Sequence, residues 1–145
     1  MDDVDKFIID QIEKLEHDMF GRGGLNEWHI PFIIRYGKVY VVELGSRVIG
    51  VAELMRSWDT PDDIYLIGLS IDKRYQGKML GRKLLETIID DLNMEEIDNI
   101  FLTLDQDNKA ALKLYSRVGF IVIDELSDEY GAGADRLLMK KELKI

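Results

Sequence analysis

The alternation of apolar and polar positions divides the chain into helical and extended segments before any single residue is considered. In DVDKFIIDQIEKLEHDMF (3–20), Ile8, Ile12, Leu15 and Met19 recur at intervals of four, three and four, which predicts one apolar stripe along a helix. Asp2, Asp3 and Asp5 stand at its start, where the helix dipole favours negative charge. GRGG (21–24) breaks the chain, and a second helix is predicted from Asn26 to about Arg35, interrupted by Pro31. KVYVVEL (38–44) and RVIGVAEL (47–54) are rich in β-branched residues and flank Gly45 and Ser46, the pattern of a hairpin. After the loop SWDTPDD (57–63), IYLIGLSI (64–71) is an almost unbroken apolar run, which predicts a central strand buried on both faces.

Beyond it, a helix over about 79–92 turns Leu80, Leu84, Leu85, Ile88, Ile89 and Leu92 inward, and IFLTL (100–104) reads as a short buried strand. DNKAALKLYSRV (107–118) predicts a helix capped by Asp105 or Asp107, with Ala111, Leu114, Tyr115 and Val118 facing inward. Gly119 ends it. FIVID (120–124) predicts a strand, DELSDEYGAGAD (124–135) a polar loop, and RLLMKKEL (136–143) a final strand. Strands alternating with helices around one hairpin place the chain in the α/β class with a mixed sheet. With no repeat or linker, residues 1–145 are expected to form a single domain.

Composition narrows the chemistry. With no cysteine there is no disulfide framework, no thiolate nucleophile and no zinc–thiolate site. A net charge of −9 argues against nonspecific nucleic-acid binding, which needs a basic face, and leaves room for cationic partners. No apolar run approaches the ~20 residues that span a bilayer, and MDDVDKF is unlike a secretory signal, so no membrane is expected and the cytoplasm is the expected compartment. His17 follows Glu13 by four residues, a metal-compatible spacing, but with two histidines in all no metal is expected.

Against that acidic background, KRYQGKMLGRK (73–83) carries five basic side chains and no acidic one. It lies between the apolar strand and the next helix, whose first N–H groups are unpaired and carry the positive end of the dipole. Glycines in such a turn allow an anion to approach the backbone. The stretch therefore reads as a phosphate-binding turn, with a solvated basic helix start as the alternative. The G-x-x-x-x-G-K-[ST] and G-x-G-x-x-G phosphate motifs are both absent.

LSIDKRYQGKMLGRKLL (69–85) resembles the acetyl-CoA signature of the GNAT superfamily of N-acetyltransferases, L-x-V-x-P-x-x-[RQ]-x-x-G-x-[GA]-x-x-L. By position Gln76 takes the Arg/Gln place and Gly81 the last small residue. The resemblance puts Leu69, Ser70 and Ile71 beside pantetheine, and Gly77, Lys78, Met79, Leu80 and Arg82 in the turn around the pyrophosphate. Lys73 stands where the family usually has proline, and Met79 where it usually has glycine. Met79 would then serve only if the turn avoids positive φ there. Downstream, LTLDQDNKAALKLYSRVGF (102–120) resembles the family's other cofactor segment through Asn108, Ala110, Ala111, Leu114, Tyr115, Gly119 and Phe120. The resemblance covers about residues 36–143. It implies a GNAT fold: a central mixed, mostly antiparallel sheet flanked by about four helices and splayed at its fourth and fifth strands. The family usually opens with a strand before the first helix; here that strand is short, missing or supplied otherwise. Gly68 interrupts a buried strand, which suggests the bulge the family has there, a close backbone approach, or a packing glycine.

The activity so implied is a transferase reaction, with acetyl-CoA as cosubstrate and direct acetyl transfer to a primary amine: a protein N-terminus or lysine, or a small amine such as a polyamine. Tyr115 takes the place of the family's general acid, and Asn108 that of the residue bonding the pantetheine amide. A backbone N–H around Leu69 to Ile71 would meet the oxyanion. Where some members carry a glutamate base, this chain has Tyr65; Glu53 is the first candidate base, with Asp63 and Glu43 behind it, each read also as a plain solvated carboxylate. A water chain with no single base stands equal to them. Trp28, His29 and Tyr36 either line an acceptor pocket or serve as core or lid, Trp58 in its loop is a further candidate for the edge of that pocket, and the acidic loop 124–135 either attracts a cationic amine or only solubilises. Family members are often homodimers. The rival from another class is a CoA-binding module without catalysis.

Overall fold

Asp5 opens the first helix, α1 (Lys6–Phe20), by accepting a hydrogen bond from the Phe7 N–H at 2.9 Å. This computed structural model describes residues 5–21, 24–129, 131, 133 and 135–143, so Asp2 and Asp3 lie outside the described residues. The buried face of α1 is Ile9, Ile12, Leu15 and Glu16, with Ile8 half-buried and Met19 38% exposed. It is one row wider than the predicted stripe, and its last turn runs past the core, which leaves Met19 outside.

Asn26 does not begin the second helix. Its side-chain oxygen instead accepts from the N–H groups of Trp28 and His29, and α2 (Ile30–Tyr36) starts after that turn. Pro31 sits in the first turn of α2 and starts the helix rather than interrupting it, because its missing N–H would have had no helical acceptor there. β1 (Lys38–Leu44) and β2 (Arg47–Arg56) form the expected antiparallel hairpin, pairing from Lys38 opposite Leu54 to Leu44 opposite Arg47 with a register shift between Val42 and Glu43.

β3 (Asp63–Ile71) has no exposed residue, with Ile64, Leu66, Ser70 and Ile71 fully buried. A 3₁₀ turn (Lys73–Tyr75) leads to α3 (Leu80–Met94), then β4 (Asn99–Asp105) and α4 (Lys109–Arg117). The cap of α4 is Asn108, whose Oδ1 accepts from Ala111 N–H at 3.1 Å, and not Asp105 or Asp107. Asp105 accepts from the Asp107 N–H at 2.9 Å and so shapes the turn ahead of the cap. β5 (Ile121–Leu126) runs two residues beyond the predicted strand, adding Glu125 and Leu126 to the sheet, and β6 (Arg136–Glu142) is the last described strand.

The six strands are ordered β1-β2-β3-β4-β6-β5. β3 and β4 run parallel, recorded from Asp63–Asn99 to Tyr65–Phe101, whereas β6 lies antiparallel to both β4 and β5. With four α-helices among the described residues, this is a mixed α/β fold. The chain divides into two compact units, one of the described residues up to Met55 with Leu66–Ile88, the other of Arg56–Tyr65 with the described residues from Ile89 on. The first unit packs Ile9, Ile12, Leu15, Ile30, Val48 and Val51 into one apolar cluster. The second buries Ile97, Ile100, Leu102, Phe120 and Met139. No described helix is long and apolar enough to cross a membrane.

Candidate functional site

In the first unit, the basic stretch is held from both ends. The Asp72 N–H donates to Ile49 C=O at 2.8 Å, and the Asp72 carboxylate receives the Arg74 N–H at 3.0 Å and the Arg74 guanidinium at 3.2 and 2.8 Å. The Arg74 side chain, then its backbone N–H, holds Asp72 down to a pKa of about 2. The Gln76 amide donates to Ile71 C=O at 2.9 Å, folding the turn back on the end of β3. The Gln76 side chain thus clamps the turn to the end of β3.

Gly77 (φ 79°) and Met79 (φ 61°) both adopt left-handed conformations, so the turn does not avoid positive φ at Met79. The first helical bond of α3 runs from Lys83 N–H to Met79 C=O at 3.0 Å. Ahead of it, the N–H groups of Leu80, Gly81 and Arg82 have no helical acceptor. Arg74 and Arg82 are neutralised by Asp72 and by Glu86 (2.9 Å), while Lys78 lies over the Tyr75 ring. Lys73, Lys78 and Lys83 form no ion pair among the described residues, so they carry the net positive charge of the turn. Leu69, Ser70 and Ile71 lie on β3 as predicted, Leu69 half-buried and the other two buried.

In the second unit, Asn108 spends its Oδ1 on the α4 cap, which leaves its amide N–H groups as donors for a ligand. Ala111 and Leu114 are half-buried on α4, and Tyr115 is buried with its ring edge-on to Phe120 at 5.5 Å. Tyr65 meets the Thr103 hydroxyl at 3.0 Å, and Asp63 accepts from Asn99 at 2.8 Å.

The first unit also contains an arrangement that sequence reasoning missed. Glu53 on β2 is 0% exposed and Glu16 on α1 is 2% exposed, so neither is a solvated carboxylate; Glu43 on β1 is exposed. A Cβ built on Gly68 would stand 3.3 Å from Glu53 Oε2 and 3.5 Å from Glu16 Oε1, so both carboxyls converge on the bare face of Gly68. That is a close approach that a side chain would crowd. Gly24 lets the following loop pass Glu16, where a Cβ would stand 2.6 Å from the Glu16 carbonyl oxygen, and the Leu25 N–H then donates to Glu16 Oε2 at 3.3 Å. Burial, and then the adjoining Glu16 carboxyl, push Glu53 up to about 10, so its carboxyl is neutral at physiological pH. The signal in the sequence was a glycine-rich loop right after α1, but nothing in the periodicity marked Glu16 as buried. Trp28, Tyr36 and Trp58 are all largely exposed, and the His29 ring lies edge-on to Phe32 at 5.9 Å.

The family model described as "Acetyltransferase (GNAT) family" matches residues 7–120. The N-alpha-acetyltransferase RimI of Mycobacterium tuberculosis is 32% identical over 102 residues, covering 68% of this chain and 61% of that protein. The spermine/spermidine N(1)-acetyltransferase of Bacillus subtilis is 32% identical over 79 residues, covering 54% of this chain and 49% of that one. The crystal structure of the ribosomal-protein-S18-alanine N-acetyltransferase from Escherichia coli shares the fold, with a TM-score of 0.83 at 19% identity over 98% of this chain and 92% of that one. The chain spans less than half the length of several curated relatives that it matches.

Proposed function

This chain belongs to the acetyltransferase (GNAT) family, and we propose that it transfers the acetyl group of acetyl-CoA directly to a primary amine. The observation that carries this reading is the turn into α3. There, amides without helical acceptors, an open left-handed Gly77 and three lysines that form no ion pair among the described residues meet at one helix start in an otherwise acidic chain. These residues fit a pyrophosphate: the backbone of Gly77 to Arg82 supplies donors and Lys73, Lys78 and Lys83 supply charge. In the first unit, Leu69, Ser70 and Ile71 are assigned to pantetheine; in the second, the Asn108 amide is assigned as a donor to CoA and Ala111 and Leu114 as apolar contacts. Acetyl-CoA supplies the activated acetyl thioester.

The protein's own task is proton management. An alkylamine with pKa ~10.4 is neutral only about once in 2,500 molecules at pH 7, a cost of roughly 4.6 kcal/mol. Tyr115 is assigned as the acid that protonates the leaving thiol, because a phenol of ordinary pKa ~10 carries its proton at neutral pH. Glu53, buried and holding its own proton at neutral pH, does not suit the proton-accepting side, which falls instead to a chain of water with no single base. The names of RimI and of the S18-alanine enzyme favour a protein N-terminus as acceptor, and that of the Bacillus enzyme a polyamine.

The test is thiol release from acetyl-CoA with a panel of N-terminal peptides, lysine peptides and polyamines. Turnover of one class, reduced by Tyr115→Phe, is the expected result. If CoA binds but no acceptor is turned over, and Tyr115→Phe changes nothing, the chain is a CoA-binding module and not an enzyme.

A further inference from the structure

The two edges of the sheet differ in what they show to water. β1, at one edge, is half-buried over residues 38–42, whereas β5, at the other, is exposed at every residue of 121–125. Ile121, Val122 and Ile123 are 62%, 47% and 45% exposed, and β6 is the one described strand that pairs with them. The register shift between Val122 and Asp124 leaves Ile123 without a partner on β6. Three consecutive branched apolar residues on an open edge, with no lysine or proline in the strand, make an edge that natural sheets ordinarily guard or cover.

The charges along β5 indicate what covers it. Asp124 and Glu125, towards its C-terminal end, are exposed and form no ion pair among the described residues. At the other end Lys141 lies against Gly119, where a Cβ would stand 2.7 Å from Nζ, and it too forms no ion pair among the described residues. Glu125 pairs with Leu137 of β6, and Leu137 and Lys141, four residues apart on an evenly paired strand, share one face. Glu125 and Lys141 therefore project to the same side of the sheet. A strand with an acid at one end and a base at the other complements its own copy run antiparallel, and a two-fold axis normal to the sheet keeps both groups on that side. A copy run parallel would set acid against acid.

We infer that β5 is the interaction surface for a second copy of this chain, with two β5 strands pairing antiparallel about Val122 and joining the sheets edge to edge. The apolar residues 121–123 of the two copies then lie side by side and leave water. Glu125 of each copy reaches the Gly119 end of the other, beside the other copy's Lys141, so the same ion pair closes both ends. The contact is independent of the acetyl-transfer reading and holds equally for a chain that only binds CoA.

The experiment measures the mass of the whole chain by sedimentation equilibrium over the micromolar range, where wild type is expected to be a dimer. Glu125→Lys and Lys141→Glu each set like charges against one another at both ends, and each should raise the dimer Kd about tenfold or more. Mixed in equal amounts, the two variants again oppose unlike charges at both ends, so the mixture should form a heterodimer as tight as wild type. The chain has no cysteine, so Val122→Cys carries a single thiol, and mild oxidation should link two copies across the axis. Leu44→Cys, at the exposed end of β1, should stay unlinked. Thermal melts check that each variant folds; where Lys141→Glu does not, the link at position 122 decides. A wild type that stays monomeric leaves the edge to another occupant, such as a basic extended segment of a different protein, and overturns the inference. So does a dimer that both charge variants leave intact, a mixture of folded variants that stays monomeric, or a link that forms no faster at 122 than at 44.

Discussion

Met79 holds φ at 61° without being glycine, immediately ahead of α3. Left-handed backbone costs a side-chain-bearing residue roughly 1–2 kcal/mol. Met79→Gly should recover that cost less the roughly 0.5–1 kcal/mol of extra chain freedom glycine brings, so thermal unfolding should show a Tm rise of up to about 6 °C. CoA affinity, read by calorimetry, should hold or improve. Glu53 gives a second residue-scale prediction. Its pKa is about 10 in the fold against 4.5 as the ordinary value, so between those limits the folded state binds the extra proton and stability falls as pH rises. Glu53→Gln removes that slope. Its Tm advantage over wild type should be small near pH 5 and grow steadily to pH 9; an advantage that stays flat would mean the carboxyl ionises freely. Asp72 has the opposite sign. Its lowered pKa, about 2, stabilises the fold above the ordinary 3.8 and is lost as pH falls towards 2, so Asp72→Asn should flatten the acid limb of the melting curve.

At the scale of elements, the start of α3 and the start of α4 make separable predictions. Gly81→Asp places a carboxylate among the amides assigned to the pyrophosphate, yet an acid in the first turn of a helix is favourable to the helix itself. CoA binding should therefore be abolished while the melting temperature is unchanged or higher; retained affinity would remove the phosphate assignment. Asn108→Ala removes the α4 cap, and a lost cap of this kind costs about 1 kcal/mol. Asn108→Ser should restore stability by capping again, but not the amide donor, so a CoA affinity that recovers with stability would reduce Asn108 to a cap alone.

For the whole molecule, net charge and local charge make opposite demands on an anionic ligand. The chain carries −9 overall, but Lys73, Lys78 and Lys83 at the turn form no ion pair among the described residues. Screening cuts off at a Debye length of about 8 Å in physiological salt, so the near lysines should win. CoA affinity should fall as salt rises from 50 to 500 mM; a rise would mean that the global negative field dominates. The order of helices and strands and both family-like segments were legible in the chain because periodicity and motif spacing are local: Leu84, Leu85, Ile88 and Leu92 face inward as the pattern required. Local pattern also set where Gln76, Gly81, Asn108 and Tyr115 lie on their elements. The tertiary structure alone decided what those residues spend their bonds on, such as Gln76 on Ile71 and Asn108 on the α4 cap. It alone buried Glu16, whose neighbours His17 and Asp18 are exposed, and brought it to Glu53, 37 positions away, over Gly68. A charge in a helix reads as a solvent face; only the packing of α1 on the sheet determines that this one is closed off from water.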